Sequence, residues 1–484
     1  MPGRDHPYQV VIGLEVHAQL MTESKLFSGD STRFGAPPNT QVSPISLGHP
    51  GTLPVLNKKA IELALKAGLS CGSQIERRNY FARKNYFYPD LPKGYQISQH
   101  TAPICRGGSV RIRIAEGYKE VPLNRIHLEE DAGKSLHDLD PDYTGIDLNR
   151  AGVPLIEIVT EPCLESADEA YSFLAELRKI LRYLEVCDGN MEEGSLRCDA
   201  NISVRRRGET RLGTKVEIKN LNSLRHLKQA LLYEGSRLTQ LLEQGEPVVQ
   251  QTRGFDASRG ISFAMRNKEE EDDYRYFADP DIPPFIISDG LLERVRAELP
   301  ELPEERVARY TREFSLPEYD ARLLCSDKDG SDYFDRLCAA TSHYKAAANW
   351  LLGPVRSWLH ESGKTMLEFP VSPEVLAKLV DLADQGILNF SVASGRILPE
   401  LIRQPQAEPF ELAGSMNLVQ TSDTQDISSW VDQVLAKMPE KVAEYRKGKK
   451  GLIGLFVGEV KRISRGKADP GLTNQLLREK LDQP

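Results

Sequence analysis

Apolar and polar residues alternate with period two along four stretches of the first half of the chain. In residues 13–20, Leu14, Val16, Ala18 and Leu20 fall on one side and Glu15, His17 and Gln19 on the other. Residues 125–131 repeat the pattern, with Arg125, His127 and Glu129 opposite Ile126, Leu128 and Glu130. In 197–204, Arg197, Asp199, Asn201 and Ser203 alternate with Cys198, Ala200, Ile202 and Val204; in 215–220, Lys215, Glu217 and Lys219 alternate with Val216 and Ile218. Period two is that of a β-strand, whose successive side chains point to opposite faces. Four such strands fit one sheet with a core face and a polar face. Helical spacing interrupts them at 58–67, 167–184 and 223–243. The expected class is α+β, with a large, mostly antiparallel sheet running to about residue 291.

Beyond that point helical spacing takes over, at 291–299, 304–313, 317–325, 331–341, 345–352, 373–385 and 391–401. The polar, proline-punctuated stretch 404–409 reads as a linker. Four short helices follow, at 427–437, 439–447, 450–463 and 469–481. The expected domains are therefore 1–292, sheet-bearing; 293–405, helical; and 406–484, an all-helical tail. A length of 484 residues agrees with two to four domains. The acidic run 268–273 reads as a solvated loop, and 279–284 as a proline-rich turn.

Composition changes this picture only in part. With 40% hydrophobic and 27% charged residues the chain has the material for a globular core. A net charge of -8 argues against a uniformly basic coat but not against a local patch. Such a patch lies in 441–467, where nine basic residues stand against Glu444 and Glu459. It is either a phosphate-contacting surface or a solvated helix end. Seven scattered cysteines without a Cys-x-x-Cys pair point to reduced thiols in a cytoplasmic protein and to no zinc site. No run of ~18 apolar residues predicts a membrane span, and the first residues are not of signal-peptide type.

Glu, Asp, His and Asn sit centrally in the four polar strand faces. They are oxygen and imidazole donors suited to Mg²⁺ or Mn²⁺, although a solvated face would also be polar. Glu129 and Glu130 are adjacent and must point opposite ways on a strand. Basic and aromatic residues interleave over 83–96, a texture that either binds RNA ends and phosphates or packs as a loop. Arg150 is either an anion ligand or a structural ion pair. There is no Walker A sequence, dinucleotide fingerprint or Gly-x-Ser-x-Gly elbow, and no nucleophile for hydrolysing an amide stands out.

Residues 13–20, 83–99, 127–135, 147–162, 191–204, 215–223 and 273–284 together resemble the B subunit of the tRNA-dependent amidotransferases (GatB), and the resemblance runs through the tail. It implies a cradle-shaped, kinase-like catalytic domain, a helical domain and a YqeY-like tail. It implies that ATP and Mg²⁺ serve to phosphorylate the side-chain carboxylate of Glu-tRNA(Gln) or Asp-tRNA(Asn), after which ammonia displaces phosphate. Carried onto this sequence, Glu15, His17, Glu129 and Glu217 would be metal ligands, with Asp199 and Asn201 in the same pocket. Lys84 and Glu130 would mark an ammonia passage, and Lys447, Lys449, Lys450, Lys461, Arg462 and Arg465 would grip tRNA. The implied partners are an amidase-type A subunit and a small C subunit. Some members carry a cysteine cluster that here has no counterpart in 42–54, which again argues against zinc. A non-catalytic tRNA adaptor is the alternative reading, and a small-molecule phosphotransferase a third.

Overall fold

Tyr8–Gln19 (β1) is the central strand of a thirteen-stranded sheet in the computed structural model. The structure describes residues 6–137, 139–266, 274–419, 424–464 and 467–482; the acidic run 268–273 and Arg465 lie outside the described residues. The strands that build the site are β2 (Ala82–Asn85), β3 (Tyr95–Ser98), β4 (Gly117–Glu130), β5 (Pro154–Thr160), β6 (Leu196–Arg206), β7 (Val216–Leu221), β8 (Gln251–Asp256), β9 (Ile261–Arg266) and β10 (Phe277–Ala278). Their order is β9, β8, β7, β6, β1, β5, β4, β3, β2, β10. Neighbours run antiparallel throughout, apart from the parallel pair β7 and β8. The α+β expectation, with a mostly antiparallel sheet first and helices after, holds.

One face of the sheet is apolar. Val10, Ile12, Leu14 and Val16 of β1 share a core with Ile156 and Ile158 of β5, Ile126 and Leu128 of β4, and Ala200 and Ile202 of β6. Three helices contribute to that core: α1 (Lys58–Ser70), α2 (Ala167–Tyr183) and α3 (Leu224–Glu243). Each starts where a side chain can take up a free backbone N–H. Asn57 accepts from Lys59, Ser166 from Glu169 and Ser223 from His226. A fourth helix, α4 (Asp289–Ala297), adds Leu292 and Val295 to the same core. The unit containing the sheet ends at Leu302.

The second unit, from Pro303, has two separate cores. The first includes Tyr310, Phe334, Trp350, Leu376 and Leu401. It continues past the stretch read as a linker, through Ala413 of the helix Pro409–Ser415 to Leu418. Proline in a first helical turn starts a helix as readily as it punctuates a loop, because the N–H it lacks has no helical partner there. The helix expected to stop near 352 likewise runs on. A π-turn at Leu351–Val355 carries the chain through Pro354 into the helix Arg356–Ser362. A π-turn is one of the irregularities that accommodate a helix-interior proline. Gly363, at φ 65°, then ends the helix in the left-handed region. The other core joins Ile427, Val431, Phe456, Val460 and Leu477 of the tail helices. No helix of the described residues is long and apolar enough to cross a membrane.

Candidate active site

The sheet's register lines up the polar face. His17 pairs with Arg197 of β6 on one side and with Glu157 of β5 on the other, and Glu157 pairs in turn with His127 of β4. Four polar side chains thus stand in one row across four strands, about 4.8 Å from strand to strand. Two residues along β1, Glu15 stands opposite Asp199, and further along β6, Asn201 stands opposite Glu217 of β7. Leu14, Val16, Ile156 and Ile158 pin this register, since a one-residue slip would drive the carboxylates into the core. The row floors a cavity of about 850 Å³.

Two imidazoles and two carboxylates meet at its centre. His17 Nε2 lies 3.5 Å from both Glu129 Oε1 and Glu157 Oε2. His127 Nε2 lies 3.3 Å from Glu157 Oε2 and 3.7 Å from Glu129 Oε2. Burial works against charged imidazoles, but Glu157 and Glu129 outweigh it and raise His17 to about 9. His127 is raised to about 9 by the same carboxylates. Against the effect of burial, His127 and His17 hold the Glu157 carboxyl well below its usual range.

A second acidic group adjoins the first. Glu15 Oε1 accepts from Asn201 Nδ2 at 2.8 Å. Lys219 Nζ lies 3.0 Å from Asp199 Oδ2 and 3.4 Å from Glu217 Oε1, and Thr252 Oγ1 donates to Glu217 Oε2 at 3.0 Å. Burial pushes the Glu15 carboxyl up, and the like charges of Glu157, Glu217 and Asp199 add to it. Burial would lower Lys219, but Asp199 and Glu217 raise it.

The donor set fits a divalent cation. His17, Glu129 and Glu157 each offer a ligand atom, all within 4.8 Å of one another. Carboxylate oxygens are ligands for Mg²⁺ or Mn²⁺, and imidazole widens the choice among transition metals. Of the four ligands expected from sequence, His17 and Glu129 belong to this trio. Glu15 and Glu217 lie in the adjoining group with Asp199 and Asn201. Glu157 was missed, because it sits in the run Leu155–Val159, which reads as a buried strand. The available signal was a carboxylate inside that run, since such a group requires a partner. His127 is buried, with its Nε2 toward the carboxylates and its Nδ1 without a hydrogen-bond partner.

Adjacent residues of β4 do separate. Glu129 lines the large cavity, whereas Glu130 lines another of about 220 Å³. There Glu130 forms an ion pair with Lys93 and accepts from the Ile97 backbone N–H at 2.9 Å. Lys25, in the same wall, is lowered by burial to about 8. Lys84 lines the acidic cavity instead, so the two residues expected at an ammonia passage lie on different cavities. Arg150 is a structural group. It donates to Ala132 O at 3.0 Å and pairs with Asp131 at 3.6 Å. In the tail, Lys447, Lys449, Lys450, Lys461 and Arg462 are all exposed.

Comparison with known proteins gives a consistent result. A family model described as the GatB/GatE catalytic domain matches residues 10–293, and one described as the GatB domain matches 332–481. The B subunit of the aspartyl/glutamyl-tRNA(Asn/Gln) amidotransferase of Geotalea daltonii is 49% identical over 477 residues, 98% of this chain and 99% of that protein. The protein of the same name in Anaeromyxobacter sp. (strain K) is 50% identical over 486 residues, 99% of this chain and 100% of its own. That of Alkalilimnicola ehrlichii is 48% identical over 480 residues, covering 98% and 99%.

Proposed function

The chain belongs to the GatB family, and from that membership we propose that it is the B subunit of a glutamine-dependent tRNA amidotransferase. It uses ATP to phosphorylate the side-chain carboxylate of Glu-tRNA(Gln), Asp-tRNA(Asn) or both, and ammonia then forms the amide. The observation that carries this reading is the row His17, Glu157, His127 across neighbouring strands, with Glu129 and Glu15 beside it. A carboxylate is a poor electrophile, because an oxide would have to leave. A phosphoryl group supplies the leaving group, and the work falls to charge placement rather than to a protein nucleophile.

His17, Glu129 and Glu157, with Glu15 and Glu217 beside them, would hold Mg²⁺, which neutralises charge on the transferring phosphoryl group. Lys215, Lys219 and Arg125 line the same cavity and would meet the nucleotide phosphates there. Asn201 and Lys219 orient Glu15 and Asp199 by the contacts described. The sequence carries no Gly-x-Ser-x-Gly elbow and no glycine/serine-rich amidase stretch for releasing ammonia from glutamine. We assign that step to an amidase-type A subunit, with a small C subunit completing a cytoplasmic heterotrimer. Ammonia would pass between the cavity at Glu130 and the cavity at Lys84. The tail, through Lys447, Lys449, Lys450, Lys461, Arg462 and Arg465, would hold the tRNA body.

The test is reconstitution with the amidase-type and small partner subunits, ATP, glutamine and misacylated tRNA, following both ATP hydrolysis and amide formation. Glu15→Gln, Glu157→Gln and Glu217→Gln are each expected to cut tRNA-dependent ATP hydrolysis by about 100-fold or more. Full activity in all three variants would leave the adaptor reading in its place.

A further inference from the structure

One wall of the acidic cavity is neither acidic nor apolar core. It is a row of aromatic rings. His100 and Tyr276 stack face to face, with centroids 4.0 Å apart and planes 7° apart. Tyr274 follows at 6.2 Å from Tyr276, Tyr86 at 6.0 Å from Tyr274, and Tyr88 at 5.9 Å from Tyr86, each meeting its neighbour edge to face with planes 67°, 78° and 65° apart, so that successive rings turn different faces outward. Lys84 Nζ sits 4.7 Å above the Tyr274 ring and 5.7 Å from that of Tyr86. Four of the rings and Lys84 line the same cavity as Glu129. Tyr88, at 47% exposure, carries the row out to solvent.

Sheet topology explains the placement. β4, which carries Glu129, is followed toward the edge by β3, β2 and β10. Lys84 lies on β2, Tyr86 directly after it, Tyr276 directly before β10 and Tyr274 two residues earlier. At about 4.8 Å per strand, the aromatic edge stands roughly 10–14 Å from the carboxylates. A group whose carboxyl end reaches the acidic row would present its next rings here.

We propose that this row is a stacking track for the unpaired 3′-terminal nucleotides of an RNA, with the terminal base against the cavity-lining rings and the preceding one toward Tyr88. The inference rests on the aminoacyl-tRNA reading given above. Aromatic faces bind unpaired bases whatever their sequence, and an ammonium beside them serves the backbone. The extent of the row favours a strand over the adenine of ATP. A mononucleotide ends at its base, whereas these rings run on from the cavity to the surface. Lys84 then has a task in the acidic cavity, as the cation next to the ester-bearing nucleotide.

The experiment compares two ligands on the full chain: intact tRNA and the same tRNA lacking its last three nucleotides. Tyr276→Ala and Tyr274→Ala are each expected to weaken intact tRNA about tenfold while leaving the shortened tRNA and ATP within about twofold. Tyr276→Phe, which keeps the ring, restores the affinity. Tyr88→Ala, at an exposed position, gives a smaller loss in the same direction and cannot act through the core. Equal losses for both tRNAs, or none, overturn the track. A loss confined to ATP assigns the rings to the nucleotide and overturns it too. If the unaltered chain discriminates no tRNA at all, the aminoacyl-tRNA reading itself fails, a result distinct from tRNA binding that ignores the substitutions.

Discussion

Glu157 faces two imidazoles at once, with His17 Nε2 at 3.5 Å and His127 Nε2 at 3.3 Å. Glu157→Gln removes one of the two counter-charges that both imidazoles face, the other being Glu129, and one carboxylate of the metal trio. Divalent-cation affinity is expected to fall by at least about tenfold, measured by calorimetric titration with Mn²⁺. The same pair sets a pH dependence in the metal-free protein. His17 and His127 stand near 9 in the folded chain against an ordinary value of 6.5. Their contribution to stability is therefore complete below about pH 6.5 and is lost as pH rises through about 9. Thermal unfolding in chelator should show Tm falling across that interval, and a flat profile would contradict the pairing. At this scale much was legible. Glu15, His17, Glu129, Asp199 and Glu217 announce themselves by alternation with apolar residues. Glu157 did not, because Leu155 and Val159 share its strand face and hide the period.

Elements were easier to read than their partners. Four strands of the sheet and three helices of the first unit follow from period, whereas the short strands at its edges do not, and nothing local in β1 says that β5 and β6 flank it. That pairing is fixed by core packing between segments more than a hundred residues apart. Close approaches show how such packing is secured. A Cβ at Gly68 of α1 would stand 2.3 Å from Cys105 Sγ, so the helix can lie against the strand Cys105–Arg106 only with glycine there. Gly68→Ala is expected to cost about 1–3 kcal/mol, read by urea unfolding. Adding Cys105→Ala opens room for the new methyl group, and the double variant should lose less than the sum of the two single ones. Simple additivity would mean that the clash is relieved elsewhere.

At the scale of the whole molecule, the two cores of the C-terminal unit decide where the chain can be cut. Composition alone suggests a boundary at 404–409, but Ala413 and Leu418 complete the first core. Truncation after 405 strips apolar side chains from that core, whereas truncation after 423 leaves it whole and removes only the tail core, beginning at Ile427. The shorter protein is expected to unfold several degrees lower. The longer one should retain the thermal transition of its remaining domains. Exposed Lys447, Lys449, Lys450, Lys461 and Arg462 leave with the tail. Of these, Lys449 is 3.1 Å from Glu444, and Arg462 is 2.8 Å from Glu459. Such surface pairs are worth little and can be exchanged for phosphates. The chain ending at 423 is therefore expected to show residual ATP hydrolysis while its tRNA affinity falls and its salt dependence flattens by several counterions. Filter binding across a salt series measures both. An unchanged slope would place the tRNA contacts on the residues before 423, and the tail's basic surface would then need another use.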